Sequence, residues 1–402
     1  MDRERYGLPA IEGGNPVRET DIEYAHQDIN DADVAAVAEV LRSDFLTTGP
    51  RVAEMERRMC ELTGAKYAVA CSSDTAALHI ACKAAGMKDG DEGITTPITF
   101  AASANCMLYC GGRPVFADID RDTWNISAPD IEKKVTDKTK VVIPVDYTGA
   151  TADLDAVRKI CDEHGLVMIE DAAHSIGTAY KGHHIGKIAD MTTFSFHPAK
   201  TVTGGEGGCV VTDSEDYYEK LMLFRTHAIT RKQKLMRYES PGPWYYEQLD
   251  LSMNYRLTDI QAGLIVSQLN RLGEFSARRK AIVARYDREF ADVPQLILQK
   301  EHEGVDATRH LYVLRLDPER LSCDRKRFFE ALWAEKVICN VHYIPTYYFP
   351  YYEDLGYEKG ICPEAEALYD NMLTIPLYPA MTDDDVSDVI LAVKKLCAYY
   401  GV

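Results

Sequence analysis

Lys200 sits in Phe194-Ser195-Phe196-His197-Pro198-Ala199-Lys200-Thr201-Val202-Thr203-Gly204-Gly205, and Glu170-Asp171-Ala172-Ala173-His174 closes an apolar run about 30 residues upstream. A lysine that follows an alternating apolar run and precedes a glycine-rich turn stands at the mouth of a sheet, where its amine can condense with an aldehyde. Such an amine must be neutral part of the time, which burial and nearby positive charge promote. A solvated surface lysine is the plain alternative for Lys200 taken alone. Asp171 ends a run in which a carboxylate is out of place. It is a candidate partner for a protonated ring nitrogen, or else the N-cap of a helix beginning near Ala172. Ser72-Ser73-Asp74-Thr75-Ala76-Ala77-Leu78 follows a strand and opens a helix whose first N–H groups suit a phosphate dianion, although capping explains the same serines and threonine. Ser195 adds a hydroxyl. An amine, an acid for a ring nitrogen and a phosphate cup are the three needs of pyridoxal phosphate (PLP), which is the cofactor these residues point to. Phe100 is a candidate to stack on its ring and His174 to flank it, each with a plain core role as the alternative.

These residues need a scaffold that brings strand ends together. From about residue 30 to 270, short apolar runs alternate with longer amphipathic segments, the pattern of βαβ units around a mostly parallel sheet. Strands are expected at Tyr67–Cys71, Gly93–Thr96, Pro114–Asp118, Val141–Val145, Val167–Asp171 and Thr192–Phe196, with Gly207-Gly208 turning the chain into Cys209–Thr212. In such sheets ligands gather beyond the carboxyl ends of the strands, which is where the polar ends of several of these runs fall. Segment 230–247, with Pro241-Gly242-Pro243, reads as a surface excursion. From about 272 a charged helix carrying Arg278, Arg279 and Lys280 leads to a strand over His310–Leu316, and a helix over Asp384–Tyr400 closes the chain. The expectation is an α/β domain over 1–270 and a smaller α+β domain over 271–402. Two domains fit 402 residues that are 46% hydrophobic, since single cores stop growing at about 250–300 residues.

Composition removes several classes. A net charge of -18 without clustered Lys and Arg argues against nucleic-acid binding. The longest uncharged stretch, 93–112, carries Thr, Ser, Asn and Pro97 and makes a poor membrane span, and the first residues lack the apolar core of a signal peptide. A cytoplasmic protein is expected. Eleven scattered cysteines give no zinc motif and fit reduced thiols, so no metal is expected.

Several separate motifs together resemble the DegT/DnrJ/EryC1/StrS sugar aminotransferases, which are fold-type-I PLP enzymes. They are Leu46-Thr47-Thr48-Gly49-Pro50, Ser72 to His79, Thr96 to Phe100, Glu170 to His174, Ser195 to Gly208, Asn254-Tyr255-Arg256-Leu257-Thr258-Asp259-Ile260-Gln261-Ala262, and Val341-His342-Tyr343-Ile344-Pro345. The resemblance implies that Lys200 is the Schiff-base lysine and Asp171 the partner of the ring nitrogen. It makes Phe100 the stacking aromatic and Thr75, Ala76 and Ser195 phosphate contacts, with Ser73 and His174 beside them. Asn254 would reach the phosphate held by a neighbouring subunit, which implies a homodimer with shared active sites. Tyr147, Arg256, His342 and Tyr343 become candidates for binding a nucleotide sugar.

Within the family, Thr95 to Cys106, Ile143 to Gly149 and Pro243 to Glu247 look most like the transaminases of pseudaminic acid synthesis. That implies L-glutamate as donor and a UDP-linked 4-keto-6-deoxy-N-acetylhexosamine as acceptor, with a dTDP or GDP sugar as an alternative. Lys200 argues against the dehydratase branch, where histidine replaces it, and the lack of a basic DNA-binding extension argues against a non-catalytic PLP-binding regulator. Asp74, Ala199, Ala228 and Ser252 depart from the family pattern. Of these Asp74 matters most, because a carboxylate in a phosphate cup opposes a dianion unless it points away or pairs.

Overall fold

The computed structural model of the 402-residue chain describes residues 6–402. Seven strands form the main sheet: β1 (Tyr67–Cys71), β2 (Glu92–Thr95), β3 (Arg113–Phe116), β4 (Thr139–Ile143), β5 (Val167–Asp171), β6 (Met191–Ser195) and β7 (Gly208–Thr212). Their order is β1-β7-β6-β5-β4-β2-β3, and β7 alone runs against the others. Alternate side chains of these strands enter two separate cores. Ala68, Ala70, Met168, Cys209 and Val211 face one, and Val69, Ile169, Val210 and Met191 face the other. A sheet covered on both faces needs strands apolar throughout, which is why these runs are continuous rather than alternating.

The helices that position the site are α1 (Asp74–Ala84) and α2 (Ala102–Tyr109). Alanine-rich α1 is a strong helix former, and it is buried along nearly its whole length against the sheet and α2. Ser73, extended at φ -163°, caps it by accepting the N–H of Ala76 at 3.2 Å.

Beyond Asn270 the chain forms α3 (Leu272–Phe290), a three-stranded sheet of β8 (Leu296–Leu298), β9 (Tyr312–Leu316) and β10 (Met372–Ile375) in that order, and the closing helix α4 (Asp383–Tyr400). These pack round a core of their own that includes Tyr286, Phe290, Leu314, Phe328 and Leu396. Ile22 joins this core, and Ile22 pairs with Val337, so a segment before the main sheet packs on the structure after it. Several predicted strands shift by one or two residues, and at two of them the cause is visible. The run 141–145 begins at Thr139 and stops at Ile143, since Pro144 has no N–H to continue the ladder. In the run 310–316 the N–H groups of His310 and Leu311 turn to the Thr148 carbonyl, so the strand starts at Tyr312. No described helix is long and apolar enough to cross a membrane.

Candidate active site

The carboxyl ends of β1, β5 and β6 converge on one crevice. At the first, β1 leads through Ser72 and Ser73 into α1. A helix has no preceding carbonyls for its first N–H groups, so those of Asp74 and Thr75 are left as donors, while Ala76 gives its own to Ser73. β7 passes so close that a Cβ on Gly208 would lie 2.4 Å from the Ser73 carbonyl. Only glycine fits there. Ser195 pairs with Gly208 across the sheet, which sets its hydroxyl at the same end. Ser73, Thr75 and Ser195 are thus grouped round the start of α1.

Asp171 ends β5 and is 3% exposed. No helix follows it. The chain turns instead, and Asp171 Oδ1 accepts the Ala173 N–H at 3.2 Å while Oδ2 accepts from Ser103 Oγ at 2.6 Å. The helix-capping alternative therefore falls away. Burial raises the pKa of Asp171, and the bonds from Ser103 and Ala173 and the charge of Lys200 pull it back. Ser103 lies in the first turn of α2, 2.6 Å from Thr99 Oγ1, and fixes the carboxylate from a distance of 68 positions along the chain. Sequence reasoning missed this support; the available signal was a pair of hydroxyl residues at i and i+4 on a helix start.

Lys200 is half-buried, and its N–H closes a turn on the His197 carbonyl at 2.9 Å. Desolvation of its amine lowers the pKa to about 8, with Asp74 and Asp171 acting in the opposite sense. The amine is therefore partly free near neutral pH, as a nucleophile or proton carrier requires.

Across from these groups stands a wall of rings. His174 Nε2 lies 2.9 Å from Tyr343 Oη, and His310, expected only as the start of a strand, centres 4.8 Å from His174. His342 is held by Thr374 Oγ1 at 2.9 Å. Burial, then the charge of Lys200, lowers the pKa of all three histidines, His342 to about 4, so the wall is neutral. Phe100 is 63% exposed, its ring edge-on to Tyr343 at 6.3 Å, which leaves its face free. Tyr147 is wholly buried beneath this wall with its hydroxyl donated to the His342 carbonyl, so it braces the wall from behind.

Asn254 and Arg256 stand apart. Ser72 N–H donates to the Tyr255 carbonyl at 2.8 Å, which fixes this segment beside the cup, yet Asn254 faces outward. Arg256 lines a cavity of about 180 Å³ with Thr48, Gly49 and Arg225. Of the other departures, Ala228 is wholly buried and Ser252 donates to the Phe224 carbonyl at 2.5 Å. Among the described residues no cluster of His, Cys, Asp or Glu is arranged to hold a metal.

A model of the DegT/DnrJ/EryC1/StrS aminotransferase family matches residues 27–394. The chain belongs to that family. It is 41% identical over 370 residues to the spore coat polysaccharide biosynthesis protein SpsC of Bacillus subtilis, which covers 92% of this chain and 95% of SpsC. Among solved structures it is similar to Spr1654 of Streptococcus pneumoniae in its PLP form, with 31% identity, a TM-score of 0.86 and coverage of 94% of this chain and 100% of that one. It is also similar to PseC of Helicobacter pylori, with 30% identity, a TM-score of 0.85 and coverage of 94% and 99%. Spr1654 is also known in a PMP form. This sugar aminotransferase therefore uses PLP, and the site fits it. The cup offers hydroxyls and free helix N–H groups, the buried acid lies at the end of β5, and the amine has been driven toward its neutral form.

Proposed function

We propose that this sugar aminotransferase takes the amino group of L-glutamate and delivers it to C4 of a UDP-linked 4-keto-6-deoxy-N-acetylhexosamine. The observation that carries the reading is the pairing of Lys200, its amine shifted to about 8, with the buried acid Asp171, opposite a neutral wall of histidine and tyrosine. PLP, when bound, withdraws electrons and acidifies the C–H bond beside the amino nitrogen. Asp171 keeps a proton on the ring nitrogen. Lys200 takes the proton from Cα of the donor and returns it at C4′ of the cofactor, then moves the reverse proton to C4 of the sugar. Because one amine serves both halves, donor and acceptor bind in turn, and the kinetics are ping-pong.

Ser73, Thr75, Ala76 and Ser195 would hold the phosphate, Phe100 and His174 the ring. The neutral wall suits an uncharged sugar, since Tyr343 and His342 offer polar atoms without a net charge. Arg256 supplies a guanidinium for the anionic nucleotide, and Tyr147 acts through the wall it braces. A second copy of the chain would cover the exposed Phe45, Leu46, Leu251 and Met253 and would receive the Asn254 amide at its own cup. PseC, described as an aminotransferase in the biosynthesis of pseudoaminic acid, supports the choice of sugar.

The test is to load the protein with PLP and add L-glutamate, following the visible absorbance and the release of 2-oxoglutarate, and then to offer UDP-, dTDP- and GDP-linked 4-keto sugars. The wild type should release one 2-oxoglutarate per site and then aminate the UDP sugar. Lys200→Ala should do neither, with a loss of about 10³-fold or more. Full turnover in Lys200→Ala, or amination confined to a dTDP or GDP sugar, overturns the reading.

A further inference from the structure

Asp74 is an acid of the cradle that this chemistry leaves unused. It is the first residue of α1, 9% exposed, and its Oδ1 has no hydrogen-bond partner. Its charge acts on both Lys200 and Asp171, so its carboxyl faces the site and not the solvent. The groups around it come from four elements: Cys71 from β1, Asp171 from β5, Thr193 from β6, and Lys200 from the loop beyond β6. Thr193 Oγ1 is buried and equally without a settled partner. β7 contributes only the backbone of Gly208, packed against the Asp74 N–H.

An ionised carboxylate here would be desolvated, beside a second carboxylate, and at the place where a phosphate dianion must rest. Only the Thr193 hydroxyl and one ammonium, itself shared with Asp171, stand against these three costs. Burial first, and then Asp171, raise the pKa of Asp74 to about 8, while Thr193 and Lys200 work the other way. A neutral carboxyl has one O–H to donate and no charge to repel an anion.

We propose that Asp74 is held as a protonated carboxylic acid that donates a hydrogen bond into the phosphate cup, so that the grip on a phosphorylated ligand loosens when that proton leaves. The departure from the family pattern then adds a donor instead of removing affinity. It also makes cofactor retention sensitive to alkaline pH. The inference rests on the reading of Ser73, Thr75 and Ser195 as the phosphate cup.

Pyridoxine 5′-phosphate and pyridoxine share a ring and cannot condense with Lys200, so the ratio of their dissociation constants for the apo-enzyme isolates the phosphate. A phosphate monoester loses its second proton at about pH 6, so above about pH 7 the ligand's charge is nearly constant. Calorimetric titration of wild type should show the preference for the phosphorylated ligand falling about tenfold between pH 7 and pH 9. Asp74→Asn, which keeps an N–H donor and cannot ionise, should lose clearly less of its preference over the same range. Lys200 titrates in both proteins, and an ionised Asp74 raises its pKa, so the fall left in Asp74→Asn measures Lys200 and only the excess fall of wild type over the variant belongs to Asp74; equal falls in the two would overturn the proposal. Asp74→Ala should lose about tenfold at neutral pH, the size of one hydrogen bond to a charged group.

Tighter binding of the phosphorylated ligand by Asp74→Ala than by wild type at pH 7 would show an ionised, repelling Asp74 and overturn the proposal. So would a flat wild-type profile, which can be read even if a variant fails to fold. If wild type, Asp74→Asn and Asp74→Ala all lack any preference for the phosphorylated ligand, the cup has been misassigned and the inference falls with it.

Discussion

On the sheet side of the crevice, Lys200, Asp171 and Asp74 are ionisable groups crowded into one desolvated volume, whereas the facing wall of His174, His310, His342 and Tyr343 consists of rings held neutral. Burial acts on both, and in both it favours the uncharged form. What differs is the compensation. Asp171 receives two hydrogen bonds and a nearby ammonium, each hydrogen bond to a charged group worth about 1.5–3 kcal/mol. The histidines receive no anion, so nothing offsets their desolvation. One side can therefore move protons and hold charge, and the other can recognise a polar, uncharged ligand.

The largest way to break this contrast is to neutralise the charged side. Asp171→Asn keeps an acceptor for Ser103 but cannot hold a proton on a ring nitrogen, so the glutamate half-reaction should slow by about 10²-fold. The same change removes the Asp171 carboxylate that supports the Lys200 ammonium, and the Lys200 pKa should fall below about 8. Capture of PLP by the apo-enzyme needs the free amine, so its rate rises with pH through that value. In Asp171→Asn the rise should come at lower pH. An unmoved limb in stopped-flow traces would show that Asp171 and Lys200 are not electrostatically coupled.

The charged side was also the more legible in the sequence, for a physical reason. Asp171 ends an apolar strand and Lys200 stands in the loop just after one, and both departures can be read within a dozen positions. Their supports cannot. Ser103 reaches Asp171 from another helix, Gly208 is needed because a third strand passes within contact of Ser73, and His310 arrives from the sheet beyond Asn270. The strands themselves were legible because both faces of the sheet are covered, which leaves continuous apolar runs. Their ends moved where a single backbone group decided, as at Pro144. Tyr147 shows the remaining gap: its residue type suggested a ligand contact, while its burial gives its hydroxyl to the His342 carbonyl.

A smaller effect is expected on the neutral wall. Tyr343→Phe removes the hydroxyl that meets His174 Nε2 and leaves the ring against Phe100. Loss of one neutral hydrogen bond costs about 1 kcal/mol, so kcat/KM for the acceptor sugar should drop about fivefold. The glutamate half-reaction should change less than twofold, about the error of such comparisons. Equal losses in both halves, measured by single-turnover kinetics, would erase the division of labour between the two sides.

The last effect falls on stability and not on turnover, and concerns a pair beneath the site. Glu170 and Asp146 are wholly buried with their carboxyls against each other, Thr192 Oγ1 donating to Glu170 at 2.8 Å and Ser175 Oγ to Asp146 at 2.5 Å. Burial pushes Glu170 up to about 7 and raises Asp146 as well. A carboxyl whose folded-state pKa exceeds its unfolded value of about 4.3 favours folding fully below that value, and this contribution is lost as pH rises through about 7. The apo-enzyme should therefore lose stability between pH 5 and pH 8, Asp171 and Asp74 adding to the slope. Glu170→Gln fills the same volume, can donate to Asp146, and does not titrate. Its denaturation free energy should decline less over this range, by about 2 kcal/mol. If urea unfolding gives wild type and Glu170→Gln the same slope against pH, the pair holds no proton, and the charge beneath Asp171 must be balanced by some other group.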